Sequence, residues 1–174
     1  ITFRLYGWNS ISSGSSGLFS ILDFSFNGTV NATNPVNVLT ESFNAPNPSW
    51  VTTNNSNGGN AAAAAWTYRA SGYQNPGGTT YTPGSGFILA DSETQGGGTT
   101  NVTLTSPAFS TVGVNAANIV LSHYYNNNGG ADDLARVESS IDGVNWTTLV
   151  TYSSDQGQSG SFSNAVVALN SEAL

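Results

Sequence analysis

The 174-residue sequence predicts an all-β protein, a two-sheet antiparallel β-sandwich of the jelly-roll kind, on three observations. Short apolar/polar alternating runs recur along the whole chain, separated by Gly, Asn, Ser and Pro turn signals. The Asp142-Gly143 pair sits between two such runs, where a tight hairpin needs positive φ. No long stretch carries the 3.6-residue apolar period of a packed helix. A single hairpin with one apolar face cannot stand alone in water, so the pattern demands a second sheet over the first.

The central stretch Ile119–Val150 reads as three consecutive antiparallel strands. Ile119, Leu121, His123 and Tyr125 share one face, and Val120, Ser122 and Tyr124 the other. After the polar turn Asn126–Asp133, the residues Leu134, Arg136, Glu138 and Ser140 alternate with Ala135, Val137 and Ser139. Trp146 follows the Asp-Gly turn and is expected to be buried, with Tyr152 ending the third strand.

At the front, Ile1, Phe3 and Leu5 alternate with Thr2, Arg4 and Tyr6. After a Ser/Gly turn at Asn9–Gly17, alternation resumes over Leu18–Val30, with Phe19, Ile21 and Asp23 opposite Leu22, Phe24 and Phe26. These two runs read as a hairpin, 1–30. Residues 31–38 carry a proline and no periodicity and read as a linker. The sandwich proper spans 39–174. It opens with a short strand at Leu39 and a proline-broken loop delivering Trp50. The alanine-rich Ala61–Tyr68 reads as a strand despite its helix-forming alanines. The loop Gly72–Gly86 has no charge and is rich in Gly, Pro, Thr and Tyr. Strands follow at Phe87–Ala90, Asn101–Ser106 and, last, Phe162–Leu169.

Composition narrows the function. Ten acidic residues against three basic ones, all arginine, give a formal charge of −7. Binding to nucleic-acid phosphates requires clustered cations, so it is not expected; attachment to an anionic membrane is disfavoured for the same reason. No apolar run reaches the ~18 residues of a spanning helix, so no membrane insertion is expected. Cysteine, lysine and methionine are absent, and charged residues make up only 7% of the chain. Solubility must then rest on Asn, Ser, Thr and Gly, a surface unlike that of a cytoplasmic enzyme. The abrupt start at Ile1 suggests an interior piece of a longer protein.

Several motifs in order carry a resemblance: Glu41-Ser42-Phe43 before Pro48-Ser49-Trp50, Trp66-Thr67-Tyr68, Gly86–Ser92 (GFILADS), Leu104–Phe109 (LTSPAF), Val120–Tyr125 (VLSHYY) and Val137–Leu149 (VESSIDGVNWTTL). Together they resemble the jelly-roll modules of secreted bacterial surface adhesins, of the cleaved-adhesin type and similar to MAM domains. In such modules two further strands follow the last one seen here. Phe3-Arg4-Leu5-Tyr6-Gly7 and Ile21-Leu22-Asp23-Phe24-Ser25 resemble that pair. The resemblance therefore implies that the N-terminal hairpin supplies the strands missing at the C-terminus, in cis, to a neighbouring copy, or to a preceding unit of a tandem array. It implies a non-catalytic extracellular structural or adhesive module, with copies of itself as partners. The alternative is a carbohydrate-binding module of a secreted multidomain enzyme.

The resemblance also implies a structural calcium ion held by Glu41, the Asp91–Glu93 loop and Asp23; the other reading is that these are solvated charges. Calcium takes several oxygen ligands, which Asn-rich loops can supply. Asp132 and Asp133 read as a solvated turn or a second, weaker ion site. For glycans, exposed flat aromatics are the candidates: Tyr73 and Tyr81 in the uncharged loop, then Trp8, Trp50 and Trp66. His123, the single histidine, reads as a packed residue or as part of a ligand face, and without cysteines it makes no zinc site. Asp142–Trp146 resembles an Asp-box turn with a structural role. Catalysis has little support: there is no thiol, no lysine and no nucleophile elbow, and a carboxylate pair drawn from Glu41, Asp91 or Glu138 lacks a marked cleft.

Overall fold

A computed structural model of the chain describes residues 1–8, 18–30, 36–127, 130 and 132–170. The side chains of Trp8, Leu18 and residues 28–30 lie outside the description, as do the proposed turn at 9–17 and residues 31–35 of the proposed linker.

The strands are β1 (Thr2–Trp8), β2 (Leu18–Val30), β3 (Val36–Glu41), β4 (Val51–Asn54), β5 (Thr67–Arg69), β6 (Phe87–Asp91), β7 (Asn101–Thr105), β8 (Val114–Asn126), β9 (Leu134–Ser140), β10 (Thr147–Tyr152) and β11 (Ser163–Ala168). They form two antiparallel sheets packed face to face. One runs β10-β9-β1-β7-β4. The other runs β11-β8-β2-β6-β5, with β3 also paired to β2. The all-β sandwich expected from alternation is what the chain forms.

The first strands of the chain sit in the middle of both sheets. β1 is hydrogen-bonded to β9 on one side, from Thr2–Ser140 to Trp8–Leu134, and to β7 on the other, from Arg4–Thr105 to Trp8–Asn101. β2 pairs along its length with β8, and its other edge is shared by β6, against Leu18–Ile21, and β3, against Phe24–Gly28. Both edges of both strands are thereby satisfied, which a buried backbone requires.

Four features depart from the alternation pattern. β1 and β2 are not a hairpin, because each lies in a different sheet. The same holds for β8 and β9: β9 and β10 form the Asp-Gly hairpin, whereas β8 belongs to the opposite sheet. Residues 36–38 of the proposed linker are already strand, paired to β2. Ala61–Ala64 is a 3₁₀ turn, and the strand begins only at Thr67. Four consecutive alanines have no side-chain volume with which to cover a sheet face, and their helix preference wins locally.

Within β2 the register shifts between Ile21 and Asp23, a β-bulge. The extra residue resets the two-residue phase. Phe19, Ile21, Phe24 and Phe26 therefore all face the core, each at most 2% exposed, while Asp23 is turned to solvent. Phe3 and Leu5 of β1, Leu104 of β7, Ile119 and Leu121 of β8 and Val137 of β9 complete the interior, together with Trp50 and Trp66.

β6 is buried at all five positions. Ile88 and Ala90 face the main core, while Phe87 and Leu89 face outward into a second, smaller apolar cluster with Tyr81. The uncharged loop Gly72–Gly86 folds over the outer face of this sheet and creates that cluster. Among the described residues, no helix is long and apolar enough to cross a membrane.

Candidate functional site

The outer face of the β10-β9-β1-β7-β4 sheet carries a cleft of about 630 Å³. Strand register decides its lining. Arg4 lies opposite Glu138 on one flank and Thr105 on the other, and Val51 follows Thr105; one step along, Tyr6 lies between Arg136 and Thr103, with Thr53 next. Asn55 and Asn101 close one end, and Trp146, carried by the β9–β10 turn, stands at the other side. A smaller trough of about 340 Å³ is lined by Tyr6, Arg136, Leu134 and Asp132. Tyr6 and Arg136 belong to both, so the two depressions run into one another.

Inside the cleft Arg4 Nε donates to Glu138 Oε2 at 2.7 Å, and the guanidinium carbon lies 4.3 Å from the centre of the Trp146 ring. Thr148 Oγ1 donates to the other carboxylate oxygen of Glu138 at 3.2 Å. Arg4 and Glu138 thus cancel. The Nε of Arg136 and the Oδ1 of Asn101 are buried without a hydrogen-bond partner. Burial raises the Tyr6 phenol above its ordinary value; Glu138 adds to this, and Arg136 and Arg4 oppose it.

Trp146 is half-buried and lines the cleft, not the interior, contrary to its expected place in the core. Its position is fixed by the turn before it. Asp142 Oδ1 accepts from the backbone N–H groups of Val144 and Asn145 at 2.8 and 2.7 Å, and Oδ2 accepts from the Asn145 side chain at 2.6 Å. These bonds hold the Asp142 carboxyl well below the usual carboxylate range.

Of the residues expected to hold calcium, Asp23 and Glu41 lie on neighbouring strands, Asp23 beside the Phe24 that pairs with Glu41, while Asp91 and Glu93 stand together at the end of β6. Among the described residues, no three Asp, Glu or His groups come together as a metal site. Asp91, 1% exposed, caps the short helix α1 (Ser92–Gln95), accepting from the backbone N–H groups of Glu93 and Thr94, each at 3.1 Å, and from Thr94 Oγ1 at 2.5 Å. Glu93 accepts from Asn75 Nδ2 at 2.9 Å. Glu41 accepts from the Phe43 backbone N–H and from Asn47 Nδ2. Asp23 stands on the exposed side of the bulge, where partial burial raises its carboxyl. Asp133 is buried, not a solvated turn residue, while Asp132 is exposed.

The expected glycan aromatics also fall differently. Tyr81 is fully buried between Tyr73, Phe87 and Tyr124, and burial, with Asp91 adding, pushes its phenol far up. Tyr73 is half-buried, stacked on Tyr81 with the Arg69 guanidinium 4.3 Å from its ring centre. Trp50 and Trp66 are core residues. Tyr73 and Tyr81 belong to a loop that looks exposed in the sequence, yet both pack back onto the sheet with Phe87 and Leu89. His123 is a packed residue, 1% exposed, lying between Phe19 and Tyr152.

The cleft residues were separable in the sequence only as faces of single strands. Two of the three arginines, Arg4 and Arg136, stand at outward positions of strands that turn out to be neighbours. Glu138, set aside for want of a cleft, lines this one. Compared with protein-family models, curated proteins and solved structures, the chain matches none of them.

Proposed function

We propose that the chain is a non-catalytic extracellular structural or adhesive module, a repeat unit or subunit of a bacterial surface adhesin or filament joined by strand complementation or tandem linkage. In this reading the two sheets have jelly-roll connectivity, and the N-terminal strands fill the place that the last strands hold in cleaved-adhesin-like modules. One observation carries it: β1 and β2, first in the chain, take the central slot of each sheet. Without them β9 and β7 would each lose a partner, and β8 would lose its longest one. Such vacancies are receptive to the same pair from another copy. The Asn-, Ser- and Thr-based surface without cysteine suits an extracellular setting.

The test is to express residues 36–174 alone and add a peptide of residues 1–30 in trans. Failure of the truncated chain to fold, with recovery of the near-UV circular dichroism on adding the peptide, is the expected result. A well-folded monomer without the peptide sinks the reading.

A second reading, a carbohydrate-binding module of a secreted multidomain enzyme, is favoured by the cleft and not by Tyr73 or Tyr81. An open, polar depression lined by hydroxyl, amide and aromatic groups is what a sugar chain requires. Glu138, both of whose oxygens are engaged, serves there as an anchor for Arg4 and not as a proton donor.

A further inference from the structure

We infer that the cleft on the outer face of the β1-containing sheet binds a polysaccharide carrying one negative charge per sugar, a uronate carboxylate or a sulfate ester. The inference rests on the carbohydrate-binding reading and names its ligand class. It is independent of whether β1 comes from the same chain or another.

Charge selects the anion. The chain has 10 acidic residues and 3 arginines, yet two of those arginines meet in one cleft. Arg4 is neutralised by Glu138. Arg136 is left, its Nε buried and without a partner. Arg136 lines both the cleft and the side trough, so an oxyanion bound there meets its guanidinium. The guanidinium fork matches both carboxylate and sulfate oxygens in a paired, planar geometry. With the exposed Asp132 on the rim of the trough, the one arginine left over matches a single negative charge and not a phosphate dianion.

Shape and the remaining polar groups select a sugar over an acidic peptide. Asn101, whose side chain also meets Tyr6, adds an amide at the end of the cleft that ring hydroxyls can both donate to and accept from. Thr53, Thr103, Thr105 and Asn55 add hydroxyl and amide groups along the floor. The side trough past Arg136 continues the cleft along the strands, so a linear chain of several rings is accommodated. Because β1 brings Arg4 and Tyr6, the site exists only when that strand is seated between β9 and β7.

The experiment is affinity electrophoresis of the intact chain in gels holding polygalacturonate, dextran sulfate, unmodified dextran or polyglutamate. Since the protein itself is strongly negative, non-specific attraction to any polyanion is suppressed. Retardation by polygalacturonate or dextran sulfate is expected, with none by dextran or polyglutamate; the polymer that retards identifies carboxylate or sulfate as the recognised group. Arg136→Gln should weaken that binding at least tenfold, while Arg69→Gln, outside the cleft, should leave it unchanged, with near-UV spectra confirming that both variants are folded. Retardation by dextran to the same degree overturns the anionic assignment and leaves sugar binding standing. Retardation by none of the polymers overturns both. Equal retardation by polyglutamate overturns the sugar assignment, and unchanged binding in Arg136→Gln removes the site from this cleft.

Discussion

Phe3 of β1 and Phe24 of β2 stack across the interior, their ring centroids 4.1 Å apart and their planes 22° from parallel. Trp50 meets both edge-on, at 5.8 Å from Phe3 and 5.3 Å from Phe24. The contact ties the central strand of one sheet to the central strand of the other. Both rings are fully buried.

Phe3→Ala should therefore destabilise the fold by about 3–5 kcal/mol, as expected for removing a fully buried phenylalanine. Phe24→Ala should cost a similar amount. Because the rings touch, the double variant should lose less than the sum. Urea denaturation of the two single variants and the double variant measures this; strict additivity would show that the two strands are not coupled through this pair.

Much of the sandwich was legible. Phe3 and Leu5, Ile119 and Leu121, and Ala135 and Val137 are buried where alternation places them. The bulge in β2 was not read, although the interval of three between Ile21 and Phe24 was its signal: a strict two-residue period put Asp23 beside Ile21. Nor could alternation show that β8 and β9 part company, since it reports which face a residue takes and not which sheet its strand joins. The cleft was hidden for a related reason. Arg4 and Glu138 are 134 residues apart, and only the insertion of β1 beside β9 makes them neighbours.

Asp91 ends β6 and caps α1, accepting from two backbone N–H groups and the Thr94 hydroxyl while almost wholly buried. Asp91→Ala leaves those donors without a partner and should cost about 1–2 kcal/mol, at the upper end for a lost N-cap. The denaturation midpoint should fall with an unchanged slope. A variant as stable as the parent would mean that the cap is dispensable.

Gly98 and Gly96 separate two effects in the loop after α1. Both have positive φ, +98° and +77°. A Cβ at Gly98 would lie 2.0 Å from the Asn57 carbonyl oxygen, the group that Gln95 Nε2 also contacts at 2.8 Å, whereas a Cβ at Gly96 meets nothing within 4 Å. Gly96→Ala should cost about 1–2 kcal/mol from backbone conformation alone. Gly98→Ala should add about 1–3 kcal/mol of overpacking. Thermal melts of the two variants should rank them in that order; equal midpoints would refute the close approach of the two loops.

His123 supplies a pH dependence whose direction follows from its surroundings. Its ring lies 4.8 Å from that of Tyr152 and 6.2 Å from that of Phe19, and both ring nitrogens are shut off from solvent, near the backbone of Leu121 and Ser163. Burial pushes the imidazole down to about 4, against a weaker opposing effect of the Leu121 and Ser163 backbone. The unfolded chain, with a histidine near 6.5, therefore binds a proton that the folded chain refuses between these two values. Stability is at its full value above pH 6.5 and declines as the pH falls toward 4, by up to about 3 kcal/mol from this group. His123→Phe keeps the aromatic volume and removes the titration. Across pH 4–6.5 the parent's melting temperature should fall more steeply with acidity than that of the variant. Parallel curves would show that the imidazole is hydrated or charged in the folded protein, and the burial of this face of β8 would have to be redrawn.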